Sequence, residues 1–232
     1  MREYFDKKLN ELRDETIKMG SLVEAELKMA LEALEKLDVG LARAVHEADK
    51  QVNATRFMIE EHCTTLISTQ QPLLQDLRAV LAVMNMIVDL ERMGDQAKGI
   101  AKVIPSIVKH PEQSLMPDLN EMGTIVTEML RTALQAYAHR NIELAKLVIP
   151  RDDEVDRRFA QFFNRIMEAM AAAQSPEKVA AYYELLRAAR ELERFGDLAT
   201  NVAERIIYIS TGFIHEGNTD PDDIVDYHLR KK

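Results

Sequence analysis

The sequence predicts an all-α fold of two tandem, pseudo-symmetric antiparallel three-helix bundles, and three observations carry that expectation. Glycine and proline are sparse, eight and seven in 232 residues, so hairpin signals are few. Apolar residues recur at spacings of three and four over long stretches without proline. The chain also states nearly the same thing twice, about 103 positions apart, which marks an internal duplication. Asp89-Leu90-Glu91-Arg92-Met93-Gly94-Asp95 returns as Glu191-Leu192-Glu193-Arg194-Phe195-Gly196-Asp197. Met19-Gly20, Val23, Leu27 and Ala30-Leu31 return as Met122-Gly123, Val126, Leu130 and Ala133-Leu134.

Helix one is expected from about Phe5 to Leu37, where Leu9, Leu12, Met19, Val23, Ala30 and Leu34 keep one face. Asp38 breaks it and caps the next helix. Helix two carries Leu41, Val45, Ala48, Val52, Ile59 and Leu66 down to Gln70-Gln71-Pro72. Pro72 is expected to open helix three at a first-turn position, and Pro105 to bend or end it near Val108. After the linker 110–114 the cycle restarts, with helix four over about 115–140 and helix five over about 141–173. Helix six follows Ser175-Pro176 and ends near Thr211-Gly212. The expected domains are a first bundle over 1–110, a second over 111–217, and a polar tail over 218–232 containing Asp220, Asp222 and Asp223.

Composition bounds the function. A net charge of −9 argues against nucleic acid as a partner, and no Gly-x-Gly loop offers to cradle phosphates. No apolar run reaches the roughly 20 residues of a membrane span, and charge stands at the N-terminus where a secretion signal is apolar, so the expected location is cytoplasmic. The single cysteine, Cys63, reads as core filling, and His46 as a surface residue.

The chemistry lies in the carboxylates. Glu91 and Asp95 stand four apart, each one position past a residue of the apolar stripe, and so share one edge of helix three. Asp49 and Asn53 keep the same offset on helix two; Asp152 and Asp156, with Glu193 and Asp197, repeat the arrangement. Register agrees as well. Asp49 and Asn53 precede Gln71 by about 22 and 18 residues, and Glu91 and Asp95 follow it by about 20 and 24, so an antiparallel hairpin sets the pairs at one height. Carboxylates gathered in this way repel unless a proton or a cation intervenes. Oxygen-only ligation suits Mg, Ca or Mn, and carboxylate clusters also take iron. The alternative is that each acid pairs with a neighbouring arginine, for which Arg56, Arg92, Arg157 and Arg194 are available. Four matched pairs in two copies favour metal. Gly94 and Gly196, inside helices, point to close packing of another element.

The Gln71-Pro72 turn with Asp76-Leu77-Arg78, the two Leu-Glu-Arg-x-Gly-Asp phrases, and Asn201, Ala203 and Glu204 resemble the PhoU family of phosphate-signalling regulators, over about 5–212. The resemblance implies two symmetry-related three-helix bundles and no catalysis. It implies a cytoplasmic negative regulator that links the phosphate-specific ABC transporter to a membrane sensor histidine kinase and represses the phosphate-starvation response. It implies multinuclear iron or zinc clusters on the E(D)xxxD carboxylates Glu91, Asp95, Glu193 and Asp197, with Asp49, Asn53, Asp152 and Asp156 matching the partner pattern on the preceding helices. A homodimer is the expected assembly, and the membrane is met only through partners. Gly99 and Lys102 stand where the second copy has Asn201 and Glu204, so the first site is expected to be the poorer in ligands. Two other readings stay open. One is a carboxylate-bridged di-metal enzyme, although no histidine here has the required glutamate three residues before it; the other is a metal-free helical adaptor.

Overall fold

The computed structural model describes residues 2–213; the tail expected at 218–232 lies outside them. Seven α-helices follow in order: α1 Arg2–Lys36, α2 Val39–Gln70, α3 Gln75–Ile107, α4 Met116–His139, α5 Ile142–Lys146, α6 Ile149–Ala172 and α7 Pro176–Thr211. A single 3-10 turn, Gln113–Leu115, precedes α4.

The caps follow the local chemistry. Asp38 accepts hydrogen bonds from the Gly40 and Leu41 amides at 2.7 and 3.0 Å, which meets two of the donors a helix start leaves orphaned. Ser175 does the same for the Lys178 amide at 3.3 Å, and Gly212 closes α7 in the left-handed region at φ 80°. Pro105 sits in the last turn of α3, which runs two residues further and stops. Two expectations need correction. Pro72 does not open α3: Gln71 takes a left-handed cap at φ 47° and Leu74 also has positive φ, so Pro72 is used up in the reversal and the helix starts at Gln75. The expected helix five is two helices. Pro150 has no N–H to donate and its ring would collide with the Lys146 carbonyl, so the helix breaks after Lys146 and resumes as α6 with proline in the first turn.

Helices α1, α2 and α3 pack on one another as one bundle, and α4, α6 and α7 as the second, with α5 lying on α4 and α7. The bundles join along α3 against α7 and α1 against α4, which leaves α2 and α6 on opposite flanks. One continuous apolar core runs through both. The repeated stripe Met19, Val23 and Leu27, with its copy Met122, Val126 and Leu130, is fully buried. Cys63 is buried within it, and burial pushes its thiol up to about 12. No described helix is long and apolar enough to cross a membrane.

The α1–α4 contact explains why the phrase around Gly20 is repeated. A Cβ on Gly20 would overlap the Leu134 side chain, and a Cβ on Gly123 would overlap Leu31. Each bundle thus offers a glycine notch that receives the other's leucine, and Arg131 adds a hydrogen bond of 2.7 Å to Glu24 across the same seam. Along α3–α7, Gly99 makes room for the Glu191 side chain, and Asp89 lies buried where Arg205 of α7 offsets part of its desolvation. Gly20→Ile is expected to cost about 1–3 kcal/mol through overpacking. In a double-mutant cycle by urea unfolding, Leu134→Ala should recover most of that loss; additive losses would show that the notch does not receive Leu134.

Candidate functional site

In the first bundle the site is built where α2 crosses α3. Gly94 has no side chain, and the space its Cβ would fill is bordered by Glu26 Oε2 at 3.2 Å and Asp49 Oδ1 at 3.6 Å. Asp49 is consequently buried at 5% exposure, on the core side of α2. Lys98, one turn past Gly94, brings its Nζ to 2.7 Å from Asp49 Oδ2 and 2.5 Å from Asp95 Oδ1. Asn53 donates to Asp49 Oδ2 at 3.1 Å. Glu26 enters from α1 at 1% exposure, and neither carboxyl oxygen has a hydrogen-bond partner among the described residues. Burial, and then the neighbouring Asp49, pushes its carboxyl up to about 8, while Lys98 works in the opposite direction. Glu91 is half-buried and takes no part in these contacts among the described residues.

The second bundle repeats the crossing with different neighbours. The Cβ position of Gly196 lies 3.1 Å from Asp152 Oδ1, and Asp152 is 2% exposed. Burial first, then Glu193 and Asp156, push Asp197 up to about 6. Burial raises Glu193 as well, with Asp156 and Asp152 adding to the effect and Arg190 opposing it from a hydrogen bond of 3.2 Å. Asp156 is raised by burial and by Asp153. These acids therefore sense one another across α6 and α7, as the register argument requires. Where the first bundle has Lys98 the second has Thr200, buried and with its hydroxyl lacking a hydrogen-bond partner among the described residues. Where the first has Glu26 the second has Met129.

The structure thus gathers Asp49, Asn53 and Asp95 at one height and Asp152, Asp156, Glu193 and Asp197 at another. As the side chains stand, no three His, Cys, Asp or Glu residues among those described are gathered closely enough to hold a metal ion. Three of the four arginines named as alternative partners are engaged elsewhere: Arg92 with Asp89 at 3.9 Å, Arg56 with Glu60 at 3.3 Å, and Arg157 with the Asp153 carbonyl at 3.1 Å. The cations that hydrogen-bond to the acids are Lys98 and Arg190, and Arg194 acts with Arg190 to lower Glu193 and Asp197. Gly99, expected to impoverish the first site, packs instead against Glu191 of α7. Sequence reasoning missed Glu26 and Lys98. A signal for Glu26 existed: it stands on the stripe of Met19, Val23 and Ala30, where the second copy has methionine.

Comparison with known proteins agrees with this architecture. The model of the PhoU domain matches residues 16–104 and 119–206, one match per bundle. A relative from Clostridium acetobutylicum, named phosphate-specific transport system accessory protein PhoU homolog, is 35% identical over 212 residues, 91% of this chain and 96% of its own. The crystal structure of PhoU from Pseudomonas aeruginosa superimposes with a TM-score of 0.85 at 32% identity, covering 90% of this chain and all of that one. That of the phosphate transport system regulatory protein PhoU from Streptococcus pneumoniae gives 0.84 at 29%, covering 91% and 99%.

Glu26 makes stability depend on pH. Folded, it keeps its proton up to about pH 8; unfolded, it releases it near its ordinary value of 4.5. The folded state binds more protons between these values, so the metal-free protein loses stability as pH rises through that window. Glu26→Met, which copies Met129, removes the penalty. The gain in melting temperature over wild type should widen from pH 5 to pH 9, by about 2–4 °C for each kcal/mol recovered. A gain that stays constant with pH would show that Glu26 is ionised throughout.

Proposed function

Because the chain belongs to the PhoU family, we propose that it is a cytoplasmic, metal-binding regulatory adaptor of phosphate homeostasis that acts by contact rather than catalysis. When phosphate is ample it would join the phosphate-specific ABC transporter to a membrane sensor histidine kinase and hold the starvation response off. A homodimer is the proposed assembly. The observation that carries the reading is the extent of the similarity: relatives named as accessory or regulatory proteins of phosphate transport match both bundles, over nine-tenths of the chain. An adaptor needs surface and rigidity, and two bundles sharing one core supply both.

The metal part of the reading is supported by the donor set of the second bundle. Asp152, Asp156, Glu193 and Asp197 offer oxygen alone; burial raises Asp156, Glu193 and Asp197, and the neighbouring acids of the set add to the rise of Glu193 and Asp197. These four would hold iron or zinc, or Mg or Mn, with small side-chain rotations drawing them together. A bound cation supplies positive charge that removes the repulsion and ties α6 to α7. Asp152 and Glu193 would position it, and Arg190 would fix Glu193 from the solvent side.

Deletion of the gene should raise alkaline phosphatase in phosphate-rich medium to near the starved level, and reintroduction should restore repression. A pull-down from phosphate-replete cells should recover transporter subunits and the kinase. A deletion strain whose phosphatase stays low in rich medium and rises normally on starvation would overturn the regulatory reading.

A further inference from the structure

The two carboxylate clusters grow from the same repeated phrases yet differ at two buried positions, Lys98 against Thr200 and Glu26 against Met129. In the first bundle the Lys98 ammonium stands 2.7 Å from Asp49 of α2 and 2.5 Å from Asp95 of α3, one contact to each helix. That is the bridging place a cation between α2 and α3 would take. The lysine side chain is only 14% exposed there. Behind it Glu26, 1% exposed with neither oxygen hydrogen-bonded among the described residues, is near enough for Lys98 to act on its carboxyl. An ammonium has donors only and can ligate nothing, so metal enters this site only by expelling it. Expulsion breaks two charge-assisted hydrogen bonds, and the tether keeps the ammonium at high effective concentration for return. In the second bundle the matching residue is Thr200, neutral, too short to span from α7 to α6, and carrying a buried hydroxyl with no hydrogen-bond partner among the described residues. Arg190 donates to Glu193, three residues along its own helix.

We propose that Lys98 is a tethered cation that takes the place of metal in the first bundle, so that the second bundle alone loads divalent metal. This rests on the metal-binding reading above and goes beyond it by assigning the two halves different chemistry. The duplicated site has split into one half with a permanent internal charge and one whose charge balance follows the metal supply.

The test uses the full chain, stripped of metal, loaded with Zn(II) or Fe(II) and dialysed, with metal counted by elemental analysis and melting temperature as a second readout. Wild type and Asp49→Asn/Asp95→Asn should retain equal metal, and Asp156→Asn/Asp197→Asn should lose it. Lys98→Thr should bind additional metal and gain more melting temperature from it than wild type does; Lys98→Gln serves as a second variant if the threonine form folds poorly, judged by circular dichroism. Metal lost in the Asp49/Asp95 variant, or no additional metal in either folded Lys98 variant, would overturn the assignment while the metal reading itself stands. Wild type that binds neither ion would overturn the metal reading and this inference with it.

Discussion

The structure turns on two close helix crossings, α2 over α3 at Gly94 and α6 over α7 at Gly196. Glycine inside a helix costs roughly 0.5–1 kcal/mol relative to alanine. Here it removes the side chain that would hold the helices apart, and the space it leaves is bordered by Asp49 in one bundle and Asp152 in the other. Both aspartates are buried as a result, at 5% and 2% exposure, among other acids. Burying carboxylates together is expensive unless charge or a proton compensates. Everything distinctive about the two sites answers that one demand: a lysine bridge in the first, raised carboxyls in the second, a proton on Glu26.

Much of this was legible in the sequence. The duplication, the six long helices, the stripe edges and the register of Asp49 with Asp95 follow from spacing alone, because helical geometry converts position along the chain into height and face. The break at Leu147-Val148 was misread although Pro150 was in view, because the apolar spacing continues through the proline while the hydrogen bonding does not. The start of α3 was misread because Leu74 adopts positive φ, a conformation that no residue type announces when it is not glycine.

The residues that distinguish the two sites were the hardest to read. Whether Glu26 is buried depends on what α2 and α3 place opposite it, a property of three helices and not of α1. Lys98 looks like an ordinary charge on a solvated face until the reach of its four-carbon stem is set against the α2–α3 separation. Of the arginines held open as alternative partners, Arg92 turns to Asp89 and Arg56 to Glu60. The cations that bond to the acids, Lys98 and Arg190, stand three residues from Asp95 and Glu193 on the same helices, outside the repeated Leu-Glu-Arg phrase.

The Pro150 break leaves α6 attached in an unusual way. It lies on the outer flank, joined to α5 through two non-helical residues, and of its 24 residues it buries only Asp152, Val155, Phe162 and Ile166. Few buried apolar contacts place a segment at the low end of the local-stability scale, and on its inner face the same segment carries the acids that repel those of α7. Amide protection along α6 should therefore respond to whatever cation or proton sits between α6 and α7, so that the outer wall of the second bundle is held in part by charge.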